Sequence, residues 1–399
     1  MKLLIEVKVL MKPKYIVITI LLVLVIIVPV FLYYGFLAGT TVKGEPSGLF
    51  VGVDVAYANV TEIKRLVDEI RPYTNTIVIG STGITWDMEK LDDICQYVYD
   101  RDFFFMIYAH PKNDTDFVVV QRQWVLDARP RWGEHFLGLY AFDEPGGRQL
   151  DDADMKVVPD EEWFADNWTE AADKYVNLAF LKLHHVIEDQ MGGLELPLFT
   201  SDYALYWFDY KVEYDVVFAE FGWNYSRNIN VALDRGAANV QNKEWGVMIT
   251  WTYTQPPYLE SGKELYDDLV LAYENGAKYI LVFDSNENYT QGTLRGEHFD
   301  ALKRFWRYAT DNPRPSNPPI DRVAYVLPKD YAYGFRGPND TIWGLWGADD
   351  FSFKISTEVG GLLDRYQNRL DIIYDDGLKT NSSYGYSELI FWNGTIRVP

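Results

Sequence analysis

The chain has 399 residues, a formal net charge of −21 at pH 7 and one cysteine, Cys95. So acidic a chain excludes nucleic acid as a partner, because phosphate groups are bound by basic patches. A single cysteine forms no intramolecular disulfide, so packing must hold the fold, and Cys95 is expected to be a buried apolar residue.

The N-terminal part of the sequence has the pattern of a membrane anchor. Residues 15–37 carry no charge, and these 23 residues as a helix would extend roughly 34 Å, enough to cross a hydrocarbon core of about 30 Å. A basic segment, 1–14, predicts a cytoplasmic N-terminus. We therefore expect a single-pass cell-membrane protein whose extracytoplasmic main domain follows a linker at 38–47. A cleaved signal peptide is the alternative, but its apolar region normally spans about 7 to 15 residues.

Eight N-x-[ST] sequons, where composition predicts about two by chance, indicate an N-glycosylated extracellular surface. They begin at Asn59, Asn113, Asn167, Asn224, Asn288, Asn339, Asn381 and Asn393.

Short apolar segments alternate with amphipathic ones over residues 48–311, which predicts parallel βα units. The predicted strands are 49–55, 76–80, 103–109, 136–142, 196–201, 216–221, 246–251 and 279–283. The predicted helices are 61–70, 88–99, 117–127, 168–190, 230–241, 262–275 and 296–310, while the connection at 203–210 is too short for a full helix. Eight such units match the size of a (β/α)8 TIM barrel. A doubly wound open sheet is less favoured, since no glycine-rich phosphate turn follows the first strand.

A small α/β domain is predicted after the barrel. Residues 312–319 form a proline-rich linker, and 320–399 contain strands at 322–327, 370–374 and 388–392 with a helix at 355–369. The predicted fold class is therefore α/β, a (β/α)8 barrel with an N-terminal transmembrane helix and a small C-terminal α/β domain.

Polar and aromatic residues gather after the predicted strands, where the active site of a (β/α)8 barrel lies. Acidic candidates there are Asp54, Asp143, Glu144, Asp202, Glu220, Asp284 and Glu287, and candidates for substrate binding are Asp54, Tyr57, Tyr108, His110, Asp202, Tyr203, Trp223, Trp251 and Tyr253. Aromatic faces stack on the apolar face of a sugar, and paired carboxylates supply an acid with a base or nucleophile. The pattern favours a carbohydrate partner.

The run Gly138-Leu139-Tyr140-Ala141-Phe142-Asp143-Glu144-Pro145 resembles the strand-four Asn-Glu-Pro signature of glycoside hydrolase (β/α)8 barrels. The resemblance implies that Glu144 is the general acid/base. Asp143 stands where the family has an asparagine that binds the sugar 2-hydroxyl, and strand seven lacks the family's nucleophilic glutamate. A small α/β module after the barrel is similar to that of some β-galactosidase-like enzymes.

The second catalytic carboxylate must then come from another strand. Glu220 is preferred, because strands four and six place a facing pair in other sugar-cleaving barrels. Asp284 and Glu287 come next, and Asp54 and Asp202 follow them. A carboxyl separation near 5 Å would indicate retention of anomeric configuration, and about 6.5 to 9.5 Å inversion. Asp54, Asp202 and Asp284 have an alternative role as caps of the helices that follow them.

Two alternatives to a hydrolase stay open. A catalytically inactive barrel would bind glycans or organise the cell envelope, which the missing strand-seven glutamate and the sequons at Asn224 and Asn288 favour. A glycosyltransferase is less favoured, as no nucleotide-phosphate loop is present. No cofactor and no metal are predicted, because His110 has no second histidine at metal-binding spacing. Protein partners are left open.

Overall fold

The computed structural model describes residues 48–109, 122–152, 156–158, 165–191, 196–286, 292–315, 321–376 and 384–398. The predicted basic segment 1–14, anchor 15–37 and linker 38–47 lie outside the described residues. In the ranges that are described, no helix has both the length and the apolar character needed to cross a bilayer. The predicted localisation, a single-pass membrane protein with a cytoplasmic N-terminus and an extracytoplasmic main domain, is corrected by this finding.

Eight parallel strands close into a barrel in sequence order, which confirms the predicted architecture. The strands are β1 (Phe50–Val55), β2 (Thr76–Ile79), β3 (Phe104–Tyr108), β4 (Phe136–Tyr140), β5 (Leu198–Asp202), β6 (Val216–Phe221), β7 (Glu244–Ile249) and β8 (Tyr279–Phe283). β1 pairs with both β2 and β8, so the described barrel has no free edge.

Helices surround the barrel. They are α1 (Val60–Ile70), α2 (Thr82–Thr85), α3 (Met88–Tyr99), α4 (Arg122–Trp132), α5 (Pro145–Asp151), α6 (Trp168–Met191), α7 (Tyr206–Lys211), α8 (Arg227–Gln241), α9 (Gly262–Glu274) and α10 (Gly296–Asp311). Capping boxes begin α1 at Asn59 and α9 at Ser261, where a side chain accepts from the backbone three residues on. Cys95 is buried on α3, as expected.

Side chains alternate along each strand between the barrel interior and the helix layer. Large aromatic residues fill the lower interior: Phe50 stacks on Tyr279 with ring centres 4.8 Å apart, and Phe199 stacks on Phe218 at 5.9 Å. Burying each such ring contributes about 2 to 3 kcal/mol. Aromatic side chains therefore fill the lower part of the interior. The polar side chains that also point inward lie above them, at the mouth of the barrel.

A four-stranded sheet follows the barrel in the order β10-β9-β11-β12. Its strands are β9 (Arg322–Leu327), β10 (Leu370–Tyr374), β11 (Tyr386–Phe391) and β12 (Ile396–Arg397), and one long helix, α11 (Asp350–Tyr366), accompanies them. The sheet packs on α8, where a side chain at Gly236 would lie 2.8 Å from the carbonyl oxygen of Ile372. The barrel and this sheet belong to one compact unit that begins at Ser47.

Candidate active site

A cavity of about 390 Å³ opens at the C-terminal ends of the barrel strands. This volume is in the range of small-molecule sites, about 300 to 1,000 Å³. Its lining contains four of the predicted acidic residues and four of the predicted aromatic ones: Asp54, Asp143, Glu144, Glu220, Tyr57, Tyr108, Trp223 and Trp251. The barrel therefore brings together side chains that are far apart in the sequence.

Glu144 sits at the sharp turn between β4 and α5. Its backbone is left-handed, with φ 52° and ψ 49°, and Phe142 before it also has a positive φ of 55°. Such conformations cost a non-glycine residue about 1 to 3 kcal/mol and cluster at functional sites. The turn places the Glu144 carboxyl in the cavity while Pro145 begins the helix.

Asp202, at the end of β5, stabilises this turn through hydrogen bonds to the turn's backbone. Its carboxylate accepts hydrogen bonds from the backbone N–H groups of Gly146 at 2.5 Å and Gly147 at 2.8 Å, and from Tyr203 and Ala204 in its own loop. The close approach requires the two glycines, because a side chain at Gly146 would lie 2.7 Å from the Ala204 carbonyl oxygen. The Asp202 side chain, on β5, therefore caps the N-terminal end of α5.

Asp202, predicted to bind substrate, is not among the residues that line the cavity. The residue is fully buried and faces the helix layer. Burial raises the pKa of both Asp202 and its hydrogen-bonded neighbour Asp209, to about 8 for Asp209. The backbone N–H donors favour the ionised form of Asp202, whereas burial and the charge of Asp209 oppose it.

Glu220 extends from β6 into the cavity beside Glu144. Its Oε1 accepts a 2.5 Å hydrogen bond from the Ser201 hydroxyl, which lies 2.7 Å from the hydroxyl of Tyr140. Tyr140 in turn donates to Asp143 at 2.6 Å. A continuous network thus joins the carboxylates of Asp143 and Glu220 beneath the mouth of the cavity.

The carboxyls of Glu144 and Glu220 line the same cavity, close enough for their charges to interact. Burial, followed by the charges of Asp143 and Asp202, raises the pKa of Glu144 to about 8, against a smaller opposing effect of Arg148. Burial also raises the pKa of Glu220 well above its usual range, and the charges of Glu144 and Asp143 add to this, while the Ser201 hydrogen bond opposes it. The pair consequently holds one proton near neutral pH.

The remaining predicted binding residues are distributed around the rim. Trp223 separates the cavity from a groove of about 580 Å³, and Tyr253, 46% exposed, lies in that groove and not in the cavity. Tyr57 likewise joins the cavity to a pocket of about 300 Å³ beside α1 and α2. Tyr203 lies outside the cavity lining and stacks on Tyr225, with ring centres 6.0 Å apart.

Asp284, predicted as a catalytic candidate, does not line this cavity. It follows the inward-facing Phe283 and so points to the helix layer, where its carboxylate accepts from the backbone of Thr293 and Leu294. Glu287 and His110 lie outside the described residues. In the part of the chain that is described, no group of three or more His, Cys, Asp or Glu side chains is arranged to hold a metal ion.

Five sequon asparagines, Asn59, Asn167, Asn224, Asn339 and Asn393, are exposed. Asn113, Asn288 and Asn381 lie outside the described residues. Glycosylation of these sites stays a prediction.

Several cavity residues were not predicted from the sequence, among them Tyr140, Ser201, Thr250 and Phe283. All four side chains point into the barrel, as that of Glu220 does. Side chains alternate between the interior and the helix layer along a strand, so counting back in twos from each strand end would have identified these residues.

No protein-family model matches the chain, and no curated protein matches it. Three solved structures resemble it in fold. A GH5_18 protein from Streptomyces cattleya, in complex with GlcNAc, has a TM-score of 0.52 at 9% identity over 87% of this chain and 99% of its own. A GH5_18 protein from Bifidobacterium longum subsp. infantis has a TM-score of 0.54 at 10% identity, covering 88% and 98%.

A β-galactosidase from the Antarctic haloarchaeon Halorubrum lacusprofundi has a TM-score of 0.56 at 12% identity, covering 86% of this chain and 69% of its own. At such identities the similarity concerns the fold. The chain thus has the (β/α)8 glycoside hydrolase-like fold with a small additional sheet, which confirms the resemblance drawn from the strand-four motif.

Proposed function

We propose that this protein is a glycoside hydrolase that cleaves an oligo- or polysaccharide, with Glu144 as general acid/base and Glu220 as nucleophile. The observation that carries the proposal is that two carboxyls, from the ends of β4 and β6, line one concave cavity and interact through their charges. Two titratable groups of one kind, held together with one proton between them, supply an acid and a base at the same pH.

The environments of the two residues support this division of roles. Glu144, whose pKa is raised to about 8, retains the proton that an acid must donate at neutral pH. Glu220 receives the Ser201 hydrogen bond, which favours its ionised form.

The proposed reaction has two steps. Glu144 donates its proton to the glycosidic oxygen as the C1–O bond breaks, and the Glu220 carboxylate forms an ester bond to C1. Water then attacks C1 and gives a proton to Glu144, the ester bond breaks, and Glu220 returns to its ionised form. This route, with a covalent intermediate, is that of retaining enzymes, whose two carboxyls lie about 5 Å apart.

The rim supports a substrate longer than one sugar. Trp223 and Tyr57 each connect the cavity to a further recess, and the loops concerned follow strands on different sides of the mouth. Aromatic rings at such junctions suit stacking with successive sugar rings. The GlcNAc in the Streptomyces cattleya structure is consistent with a carbohydrate ligand for this fold.

Release of reducing sugar from a panel of glycans by the purified protein tests the proposal. Glu144→Gln and Glu220→Gln should each abolish release, whereas Glu134→Gln should leave it unchanged, because Glu134 is exposed at the opposite end of β4. Hydrolysis that survives Glu144→Gln would contradict the assignment.

A glycan-binding protein without catalysis is the second candidate. It is favoured by β7, whose inward residue at the mouth is Thr250 where the resembled family has a carboxylate. Saturable glycan binding by the unmodified protein, with no product after prolonged incubation, would support this candidate over the hydrolase.

A further inference from the structure

Four carboxyl groups, those of Asp54, Asp143, Glu144 and Glu220, line one cavity of about 390 Å³. Among its described lining residues there is no lysine, arginine or histidine. The cation nearest to the group is Arg148, whose guanidinium is 3.9 Å from Asp143 and stands behind the lining. The described lining of the cavity therefore presents acidic groups with no cationic side chain among them.

Asp54 is one of the two cavity carboxylates, with Asp143, that the proposed reaction does not use. Its residue is 5% exposed, and its Oδ1 has no hydrogen-bond partner among the described residues. Asp54 faces the interior, like Phe50 below it on β1, and reaches the cavity beside Gly80. A Cβ at Gly80 would lie 3.1 Å from Oδ1, so the glycine leaves space beside this oxygen at the cavity wall.

A buried acceptor without a partner costs about 1 to 3 kcal/mol, and its cost is removed when a ligand donates to it. Burial and the charge of Asp143 raise the pKa of Asp54, which shows that both disfavour its negative charge in the empty cavity. A ligand that brings a positive charge relieves this repulsion, whereas a neutral hydroxyl supplies only a hydrogen bond.

We propose that the sugar unit bound in the cavity carries a free, protonated amine that pairs with Asp54, so that the substrate is an amino-sugar glycoside. This inference rests on the proposed function. An ammonium group has three donors and a full charge, so it can serve Asp54 and the neighbouring carboxylates together. The aromatic faces of Tyr108 and Trp251 in the same lining also favour a cation.

Calorimetric titration of the Glu144→Gln protein tests the inference without turnover. The ligands are the glucosamine disaccharide and its N-acetylated counterpart, at pH 6, where the amine is protonated. We expect the free amine to bind at least tenfold more tightly. A salt concentration of about 0.5 M is included because an acidic protein attracts any cation over long distances, and salt screens that attraction.

Asp54→Asn and Glu134→Gln, each combined with Glu144→Gln, form the matched comparison, since each removes one negative charge. Asp54→Asn should abolish the preference for the amine and leave binding of the N-acetylated disaccharide within twofold, while Glu134→Gln should change neither. Asp54→Asn removes a buried charge and is expected to fold, which its thermal melting curve checks. Equal or tighter binding of the N-acetylated disaccharide, or a preference that survives Asp54→Asn, would overturn the inference.

Hydrolysis by the unmodified protein separates this inference from the proposed function. Cleavage of neutral or N-acetylated glycans but not of amino-sugar glycosides would refute the proposed amine specificity, while the proposed hydrolase function would be supported. Asp54-dependent amine binding with no hydrolysis of any glycan would support the amine site and refute the hydrolase.

Discussion

The hydroxyl of Ser201 donates a 2.5 Å hydrogen bond to Oε1 of Glu220. The two residues stand on neighbouring strands, β5 and β6, and both face the barrel interior. A hydrogen bond to an ionised carboxylate stabilises the charge, so Ser201 offsets part of the rise that burial causes in the pKa of Glu220. Loss of this hydroxyl should therefore be visible in the pH dependence of the proposed reaction.

Ser201→Ala is expected to raise the pKa of Glu220 further. A hydrogen bond to a charged group is worth about 1.5 to 3 kcal/mol, so the acidic limb of kcat/KM should move up by about one to two pH units. The direction follows because a nucleophilic carboxylate must be ionised to act. Ser201→Thr keeps the hydroxyl and should retain most of the original profile. An acidic limb that Ser201→Ala leaves in place would show that the hydrogen bond does not act on Glu220.

The basic limb of the same profile should reflect Glu144. Its pKa of about 8 means that the proposed acid loses its proton above this pH, so kcat/KM should decline with a midpoint near pH 8. Arg148→Met removes a cation that lowers this pKa and should move the limb upward. A basic limb below pH 6, or a downward shift in Arg148→Met, would be incompatible with Glu144 as the acid.

Glu144→Gln is expected to stabilise the fold even though it abolishes hydrolysis. The pKa of Glu144 is about 8 in the folded state and lies near 4.3 in an unfolded chain, so the unfolded state loses the proton first as pH rises. The free energy of unfolding contributed by this group thus falls between about pH 4 and pH 8. The gain in Tm of the glutamine variant should be larger at pH 8.5 than at pH 4, and an equal gain at both would count against the raised pKa.

Strand parity explains which site residues could be predicted from the sequence. Glu220 follows Phe218 by two positions on β6, and Phe218 lies in the barrel interior, so Glu220 points inward. Asp202 and Asp284 each follow an inward-facing residue by one position and therefore point to the helix layer. The sequence identified the ends of these strands, but a shift of one residue decides whether a carboxylate faces a ligand or a helix.

The contacts of the site depend on distances that no local pattern contains. Tyr140 and Ser201 are 61 positions apart, and their hydroxyls meet only because β4 and β5 pair in one register. Neither tyrosine nor serine indicates catalysis by itself, so the sequence alone does not predict these two residues as part of the site. The strand-four motif could be read from the sequence because the turn and the helix that follows it are encoded locally by the run from Asp143 to Gly147.

The packing of α5 against the loop after β5 should make Gly146 intolerant of a side chain. An alanine Cβ there would lie 2.7 Å from the Ala204 carbonyl oxygen and 2.9 Å from Asp202, so the helix start must shift. We expect Gly146→Ala to lower the free energy of unfolding by about 1 to 3 kcal/mol. It should also reduce kcat more than it raises KM, because the shift moves Glu144.

Gly361→Ala is the matched control for this change. Gly361 lies in the interior of α11 with nothing within 4 Å of a new Cβ, so alanine should stabilise the protein by about 0.5 to 1 kcal/mol without affecting kcat. Denaturant unfolding and steady-state kinetics measure the two effects. Unchanged stability and kcat in Gly146→Ala would show that the turn tolerates displacement.

The barrel and the C-terminal sheet are joined by a buried ion pair whose removal should destabilise both. Arg235 on α8, 2% exposed, contacts Asp371 on β10 at 2.7 Å and donates to the carbonyl oxygens of Asn368 and Leu370. Arg235→Met leaves the fully buried Asp371 with weaker partners, Tyr386 and the more distant Arg322. The expected loss in the free energy of unfolding is about 3 to 5 kcal/mol.

Two further variants distinguish loss of the pair from loss of a charge. Lys263→Met removes an exposed partner of Asp267, a pair separated by 2.6 Å, and should change stability by no more than about 0.5 kcal/mol. The double variant Arg235→Met with Asp371→Leu replaces both buried charges by apolar groups, and it should recover much of the stability that Arg235→Met loses. If urea unfolding shows the double variant to be no more stable than Arg235→Met, then the unpaired charge of Asp371 is not the cause of the lost free energy of unfolding.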